Sequence, residues 1–378
     1  MNGNRRTGYA ELPLHGGKAP RWLFERMTRL SREIVRHMVA EYGAREVLRR
    51  LSDPFWFQAL GCVLGFDWHS SGVTTTTCGA LKEGVRGVEN ELGLFVAGGK
   101  GKVSRNTPAE IVARCETQGE NPLPLVYASR MSAKVDSAAV QDGFQIYHHS
   151  FFFTREGEWA VVQQGMNPGS CTARRYHWLS AGVESFVEEP HAAICCDERV
   201  TPLNLVAAES ALVREHAVEL AVTPDRETMA VAERLPTLVM PQRHDIVPGD
   251  INPRQLHKIL LQTYEKPPGN FEELLGMKGV GPASLRALAL VAEVIFGTPA
   301  STRDPARFSF AHGGKDRIPY PVNREVYDTT IEVLSKSLQR AAVPRSEKVE
   351  ALRRLAHFTE PEDDQITQSL IERKEETE

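Results

Sequence analysis

Apolar and polar residues alternate with a helical period near the start of the chain. Apolar side chains recur at every third or fourth position from Trp22 to Val39, and arginines fill positions between them. Gly43 then interrupts the pattern, which predicts a break between two helices. Beyond the second helix, an apolar segment is predicted to be buried, a loop to cover residues 70–77, and a helix to cover residues 79–91.

The pattern changes character between residues 123 and 180. The stretch GFQIYHHSFFFTREGEWAVVQQGM, residues 143–166, predicts a β-hairpin whose turn lies at residues 155–158. ARRYHWLS, residues 173–180, predicts a further strand. We therefore expect an antiparallel sheet supported by the N-terminal helices, in a domain of the α+β class.

Helical spacing returns after residue 202. Helices are predicted over residues 203–222, 253–266 and 271–297. The stretch TPDRETMAVAERLPTLVMPQRHDIVPGDINP, residues 223–253, contains five prolines, which is typical of a linker and a domain boundary. The predicted organisation is a mixed helix and antiparallel-sheet domain over residues 1–201, a helical domain over 202–360, and an acidic, disordered tail over 361–378.

Composition narrows the class of protein. Of the 378 residues, 41% are hydrophobic and 25% are charged, as in a soluble globular protein large enough for two domains. No apolar run approaches the roughly 20 residues that cross a bilayer, and the start has no apolar signal, so we expect a cytoplasmic protein without membrane contact. The six cysteines show no CxxC spacing, which favours free thiols. The net charge of −4 excludes a chain that is basic throughout, although residues 1–60 are locally basic.

The most specific motif is LLGMKGVGPASLRALALV, residues 274–291. A short helix is predicted to end near Leu275, a tight turn to run from Lys278 to Gly281, and Pro282 to open the next helix, where proline costs no hydrogen bond. Exposed N–H groups at such a helix N-terminus favour an anion. The stretch resembles the helix-hairpin-helix motif of DNA-binding and DNA-repair proteins. The resemblance implies a motif over residues 274–296 that grips the phosphate backbone without reading sequence.

The resemblance also implies roles for individual residues. Gly279 and Gly281 match the hairpin glycines, Val280 matches the apolar wedge, and Lys278 matches a flanking cation. The predicted DNA contacts are Lys278, Gly279, Val280, Gly281, Ser284, His312, Lys315, Arg317 and Arg174.

Glycosylase chemistry is an alternative. Helix-hairpin-helix glycosylases place a catalytic aspartate shortly after the second helix, where this chain has Asp304. The lysine that bifunctional members use after the hairpin has no counterpart, because Ala283 and Ser284 stand there. An aspartate before Pro305 is also a common turn residue.

The tetrapeptide HGGK occurs twice, at residues 15–18 and 312–315, and a shorter copy, GGK, lies at residues 98–100. Glycine pairs allow tight turns and close approach to a ligand, and lysine supplies a charge suited to phosphate. We predict that both full copies contact phosphate. The late copy would extend the hairpin surface, and the early copy would act through His15 and Lys18 in the first domain.

Polar residues cluster inside apolar segments of the first half, which is typical of an active site. Acids and histidines can ligate a metal or move protons, and cations and amides can hold phosphate. Because His148 and His149 alternate on a strand, at most one of them points at a shared site. The candidate catalytic residues are His15, Lys18, Asp67, His69, Lys134, Asp136, Asp142, His148, Gln164 and His177.

One chemical arrangement of these residues uses a metal. Asp136 or Asp142, with a nearby histidine, would bind Mg²⁺ or Mn²⁺ for phosphodiester hydrolysis. An acid before a β-hairpin resembles the restriction-endonuclease-like nucleases. The second strand departs from their pattern, because Gln163-Gln164-Gly165 stands where they have an acid and a lysine.

The other arrangement needs no metal. His15 or His69 would act on a phosphate held by Lys18 and Arg174. The spacing of the residues does not decide between the two arrangements.

A wider series of motifs resembles one uncharacterised family of archaeal and bacterial proteins, a domain of unknown function. The matching stretches, in chain order, are LPLHGGKAPRWLFERM, LSDPFWFQALGCVLGFDWHSSGVTT, AKVDSAAVQDG, VVQQGM, RRYHW and HGGKDRIPYPV. The resemblance covers roughly residues 8–345 and supplies no activity.

The sequence as a whole predicts a DNA-processing or DNA-repair protein that binds the DNA backbone non-specifically. The leading hypothesis for its activity is that of a nuclease. One alternative is a non-enzymatic, architectural DNA-binding protein, and another is a glycosylase-like enzyme. An RNA-processing enzyme is a further alternative, because contact with phosphates carries no base information.

Overall fold

The computed structural model describes residues 19–66, 70–196, 198–222, 265–307 and 324–359, with Arg234, Ile259, Leu260 and Thr263. These residues form thirteen α-helices and seven strands, so the fold is of the predicted α+β class. None of the helices in these ranges is long and apolar enough to cross a bilayer. Apart from Arg234, the predicted linker lies outside the described residues, as does the predicted tail.

Four helices form the N-terminal layer. They are α1 (Arg21–Tyr42), α2 (Ala44–Ser52), α3 (Pro54–Leu64) and α4 (Gly72–Val85). The predicted break between the first two is confirmed, and Gly43 makes it at a φ of +83°, which favours glycine. Asp53 caps α3 by accepting from the N–H groups of Phe55 and Trp56, and Pro54 occupies the first turn.

The start of α4 differs from the prediction. Residues 72–77 are helical, so the predicted loop over residues 70–77 is wrong for most of its length. Threonine has a modest helix propensity, but Val73, Thr74 and Thr77 are buried against neighbouring elements. Tertiary packing therefore overrides local preference here.

A five-stranded antiparallel sheet forms the centre of the fold. Its strands, in spatial order, are β1 (Leu94–Lys100), β3 (Gln145–Thr154), β4 (Trp159–Asn167), β5 (Thr172–Leu179) and β6 (Ala193–Cys195). A small second sheet pairs β2 (Val140–Gln141) with β7 (Leu203–Asn204). The predicted β-hairpin over residues 143–166 and the predicted strand over residues 173–180 are both confirmed.

The shorter GGK copy lies in the edge strand β1 rather than in a turn. Gly98 has a φ of +88°, and a Cβ atom there would lie 2.2 Å from the carbonyl oxygen of His149. The close approach of two strands therefore requires glycine at this position. Lys82 donates to the Gly98 carbonyl oxygen at 2.7 Å. This copy therefore has a structural role at the edge of the sheet.

The other helices surround the sheet. They are α5 (Glu89–Leu92), α6 (Lys102–Arg105), α7 (Thr107–Glu116), α8 (Leu123–Lys134), α9 (Ala211–Val222), α10 (Phe271–Gly276), α11 (Pro282–Phe296), α12 (Arg324–Arg340) and α13 (Arg345–Thr359). A π-helical turn, Val135–Ala139, continues α8. The helix predicted over residues 203–222 begins only at Ala211, because Leu203 and Asn204 pair with β2.

The sheet separates two buried apolar clusters. Phe151 and Trp178 lie on one face and share a cluster with residues of α8, α9, α10 and α11. We call this face the hairpin face, because the turn between α10 and α11 packs there through Val280. Phe152 and Val162 lie on the other face, the N-terminal face, and share a cluster with residues of α1 to α4, α12 and α13. Both clusters combine residues from the two predicted domains, and the division at residue 201 stays a prediction.

Candidate functional site

Residues 271–296 form a helix, a turn and a second helix, and we call the turn Lys278–Gly281 the hairpin; its identity as a helix-hairpin-helix motif stays a prediction. Helix α10 ends at Gly276, and Pro282 is the first residue of α11, as predicted. Gly279 lies in the turn with a φ of +91°. A residue with a Cβ atom adopts this left-handed backbone at a cost of about 1–2 kcal/mol. The turn therefore depends on glycine at this position, while its contact with DNA stays a prediction.

Lys134, the last residue of α8, fastens this turn. Its ammonium group donates to the carbonyl oxygens of Leu275, of Met277 at 2.7 Å and of Val280 at 3.0 Å. These carbonyls lie at the C-terminal end of α10 and in the turn, where a cation is favoured. Burial lowers the pKa of Lys134. Lys134 was predicted to be catalytic, and in the structure its three hydrogen bonds hold the hairpin.

Two backbone N–H groups of the turn bear on anion binding. The N–H groups of Gly279 and Gly281 donate to no backbone carbonyl among the described residues. Val280 between them is 3% exposed and belongs to the cluster on the hairpin face. The turn is therefore anchored by Val280 and carries two open N–H groups at the N-terminus of α11.

Positive charge accompanies these donors. Lys278 is exposed in the turn, and Arg130 is exposed on α8 one helical turn before Lys134. Residues four apart on a helix share a face, so Arg130 lies on the same side as the lysine that holds the hairpin. Ser284, a predicted DNA contact, is buried, and its hydroxyl has no hydrogen-bond partner among the described residues.

The sheet register separates the other predicted catalytic residues. On the hairpin face, one row contains His149, Gln163 and Tyr176. On the N-terminal face, the next row contains His148, Gln164 and Arg175. The two histidines therefore point to opposite faces, as predicted, and the candidate catalytic residues within the described ranges are divided between the two faces.

Asp136 is completely buried on the hairpin face, where the π-helical turn places it over the sheet. Its Oδ2 accepts from Gln163 Nε2 and from Trp178 Nε1 at 3.0 Å. Its Oδ1 accepts from His191 Nε2 at 2.5 Å. Three donors therefore satisfy this buried carboxylate.

A chain of hydrogen bonds runs from Gln163, which donates to Asp136, through His149 to Ser129. Gln163 Oε1 lies 2.8 Å from His149 Nδ1, and His149 Nε2 lies 2.9 Å from the Ser129 hydroxyl. Burial lowers the pKa of His149 to about 4, so the imidazole is neutral at pH 7. These residues fix the orientation of the Gln163 amide, which in turn fixes the carboxylate.

A second buried carboxylate, Asp142, belongs to a separate cluster. Arg174 donates to Asp142 at 3.0 Å and to both oxygens of Asp304, each at 3.0 Å. Tyr176 donates to Asp142 at 2.7 Å. Burial disfavours the charged guanidinium, but Asp142 and Asp304 hold the pKa of Arg174 well above its ordinary value.

This cluster bears on two of the sequence-based hypotheses. Arg174 is 0% exposed, so its guanidinium faces these carboxylates and not a DNA phosphate. Asp304, the counterpart of the glycosylase aspartate, is held bidentately by Arg174 and accepts from the Ala306 N–H group at 2.9 Å. Both residues therefore brace the loop after α11 against the sheet.

The oxygens of Asp136 and Asp142 accept from protein donors in the structure. Those of Asp136 face three N–H donors, and those of Asp142 face Arg174, Tyr176 and the Phe144 N–H group. A divalent cation at either carboxylate would compete with these donors, and binding of Mg²⁺ or Mn²⁺ there stays a prediction. No group of three or more His, Cys, Asp or Glu side chains able to hold a metal occurs in the described ranges.

A third polar cluster lies on the N-terminal face. Gln164 Nε2 donates to the Ser71 carbonyl oxygen at 2.9 Å and to the Tyr147 hydroxyl at 2.5 Å. A shift in strand register beside Tyr147 aims its side chain at this amide. Within the described part of the chain, Gln164 Oε1 and His148 Nδ1 are buried without a hydrogen-bond partner. The structure therefore brings these two predicted residues together.

His177, another predicted catalytic residue, is fully engaged on the same face. Its Nε2 accepts from Arg175 Nε at 2.8 Å, and its Nδ1 lies 2.9 Å from the Leu51 carbonyl oxygen. Burial, followed by the charge of Arg175, lowers the pKa of His177 well below its ordinary value. His177 therefore orients Arg175 and has no free nitrogen for proton transfer.

The buried histidines predict a dependence of stability on pH. Burial lowers the pKa of His148 to about 3 and that of His149 to about 4, so the unfolded chain binds these protons first as the pH falls. The free energy of unfolding is expected to fall between pH 6.5 and about pH 4, by about 1.4 kcal/mol per pH unit for each histidine. Urea titrations at pH 7, 6 and 5 measure this slope. His149→Gln should reduce this slope by the contribution of one histidine, about 1.4 kcal/mol per pH unit. An unchanged slope would contradict the lowered pKa of His149.

Several predicted residues lie outside the described part of the chain. They are His15, Lys18, Asp67, His69, His312, Lys315 and Arg317. Sequence reasoning also missed His191 and Tyr147, because neither has a motif-like spacing to its partner. The six cysteines all lie in the described ranges, and none of them forms a disulfide there.

Comparison with known proteins gives one match. The sequence model of a protein family described as "Protein of unknown function (DUF763)" matches residues 8–322. No curated protein and no solved structure matches the chain. The matched range includes the hairpin, both HGGK copies and all seven strands.

Proposed function

Since the chain belongs to the DUF763 family, whose description names no activity, we propose a function from the hairpin itself. The turn Lys278–Gly281 binds the phosphate backbone of nucleic acid, DNA in the first instance, without regard to base sequence. The protein is on this proposal a DNA-processing or DNA-repair protein.

The observation that supports the proposal is the anchored turn. Gly279 and Gly281 carry N–H groups without a backbone acceptor at the start of α11, where the helix dipole favours an anion. Lys134 holds the turn through three carbonyl oxygens, so a phosphate binds to a preformed site. Lys278 adds an exposed cation beside it.

An enzymatic role, as a nuclease, is a further part of the proposal. A non-enzymatic architectural protein is the alternative. Labelled DNA incubated with the protein, in EDTA and in Mg²⁺ or Mn²⁺, separates the two, because an architectural protein binds without forming a product. Competition between duplex DNA and duplex RNA of matched sequence tests the choice of nucleic acid.

A charge reversal tests the binding surface. Lys278→Glu is expected to raise the dissociation constant for duplex DNA about 10-fold, and to lower the slope of log affinity against log salt by about 1, as for one lost phosphate contact. The matched control is Lys102→Glu, which changes the same charge on an exposed residue of α6. Its dissociation constant should change less than about 2-fold. Fluorescence anisotropy in EDTA measures both, and equal effects of the two substitutions would remove the hairpin from the binding surface.

A further inference from the structure

We infer that Asp136 and His191 form a proton-transfer dyad that serves hydrolysis of a phosphodiester at a cavity beside the β2–β7 sheet. The choice of a nucleic-acid phosphodiester as the natural substrate rests on the proposed function. The dyad itself rests on geometry that is independent of the hairpin.

The first support is the orientation of the imidazole. His191 Nε2 lies 2.5 Å from Asp136 Oδ1, and both side chains are nearly or completely buried. A carboxylate at this distance requires the proton on Nε2 and leaves the lone pair on Nδ1. Among the described residues, Nδ1 has no hydrogen-bond partner. This is the tautomer that a general base needs.

The second support is the rigidity of the carboxylate. Trp178 and Gln163 donate to Asp136 Oδ2, so only Oδ1 is available to the imidazole. His149 and Ser129 in turn hold the Gln163 amide. A buried hydrogen-bond network of this kind keeps the histidine in one orientation. A histidine with only a packing role does not require hydrogen bonds that fix its carboxylate partner.

The third support is a cavity that His191 lines. It has a volume of about 190 Å³, several times the roughly 30 Å³ of a water molecule in the liquid. Besides His191, its lining includes Asn204, Arg307 and Glu189. Arg307 lies 3.1 Å from Glu189, so the guanidinium is held at the cavity. A guanidinium at this place suits a phosphate group.

The choice of substrate, as distinct from the dyad, is supported by the position of the cavity relative to the hairpin. Gln141 of β2 donates to the Pro282 carbonyl oxygen at 2.9 Å, directly after the turn. Its neighbour Val140 pairs with Asn204 of β7, which lines the cavity. Paired strands lie about 4.8 Å apart, so only the small sheet separates the turn from the cavity.

The chemical step follows from these groups. His191 Nδ1 takes a proton from a water molecule while the water oxygen forms a bond to phosphorus. The bond from phosphorus to the leaving oxygen breaks, and that oxygen takes up the proton from the imidazolium. Asp136 stabilises the imidazolium without taking the proton, and Arg307, which lines the same cavity, stabilises the charge that develops on the phosphoryl oxygens.

The test uses a small phosphodiester that does not depend on the hairpin. The full chain is incubated in EDTA with methyl 4-nitrophenyl phosphate, and release of 4-nitrophenolate is followed by absorbance. His191→Gln keeps a donor towards Asp136 and is expected to lower kcat at least about 100-fold, since general acid–base catalysis contributes about 10²–10⁴-fold. His216→Gln is the matched control on α9 and should leave kcat unchanged.

Chemical rescue separates catalysis from a structural role. Added imidazole is expected to restore hydrolysis to His191→Ala, because the small base can enter the space that the side chain leaves. Absence of hydrolysis by the wild-type chain, an unchanged rate in His191→Gln, or failure of rescue in a folded His191→Ala protein would each overturn the dyad. If Gly279→Asp abolishes DNA binding and leaves this small-substrate activity intact, both proposals stand. If the wild type binds no DNA but hydrolyses the small diester, only the hairpin proposal fails.

Discussion

Gly279→Asp is expected to raise the dissociation constant for duplex DNA about 100-fold while the chain still folds. The substitution places a negative charge at the two open N–H groups of the turn, so the phosphate loses about two charge-assisted hydrogen bonds of about 1.5 kcal/mol each. The backbone cost at a φ of +91° is about 1–2 kcal/mol, which a domain of ordinary stability tolerates. Anisotropy titration measures the affinity, and circular dichroism verifies the fold.

Gly297→Asp is the matched control. Gly297 ends α11 at the opposite end from the hairpin, with a φ of +67° and open space around its Cβ position. This substitution carries the same change of charge and a similar backbone cost, so its affinity for DNA should stay within about 2-fold of wild type. An equal loss of affinity in both variants would mean that net charge, and not the turn, governs binding.

Arg174→Met is expected to lower the free energy of unfolding by about 3–5 kcal/mol, the largest loss of stability that we predict. Methionine fills much of the volume but leaves Asp142 and Asp304 buried without their shared cation. Uncompensated buried carboxylates oppose folding, and the loop that carries Asp304 would lose its attachment to the sheet. Urea denaturation at pH 7 measures the change.

Two further variants test this reason. Arg174→Lys keeps the charge but cannot make the two parallel bonds to Asp304, so we expect a smaller loss than for methionine. Adding Asp142→Asn to Arg174→Met should recover part of the stability, because one uncompensated charge is removed. If Arg174→Met cost less than about 1 kcal/mol, the cluster would not be the brace that we describe.

The elements that could be predicted from the sequence are those with a local signal. The 3.6-residue period of α1, the break at Gly43 and the glycine-bounded turn before Pro282 all depend on neighbouring residues. The start of α4 could not be predicted, because burial of its threonines by distant elements outweighs their local preference. The strand that contains GGK was missed for a similar reason, since the close approach of the neighbouring strand, and not a local turn, requires Gly98.

The candidate sites were harder to predict than the fold. Asp136 was a candidate from its sequence context, but its partner His191 lies 55 residues away with no motif that links the two. Lys134 and Arg174 carry charges that suit phosphate, yet the fold turns one towards the hairpin carbonyls and the other towards two aspartates. Residue type indicates what chemistry is possible, and only the three-dimensional contacts show which groups are open to use it.

The most direct test of the central claim is the salt dependence of DNA binding by the wild-type protein. Two duplexes of equal length and unrelated sequence are titrated by anisotropy in EDTA over a range of KCl concentrations. A hairpin that holds only phosphates predicts the same dissociation constant for both duplexes, and a linear fall of log affinity with log salt of about 0.9 per phosphate contacted. No binding at the lowest salt, or a strong preference for one sequence, would contradict the account.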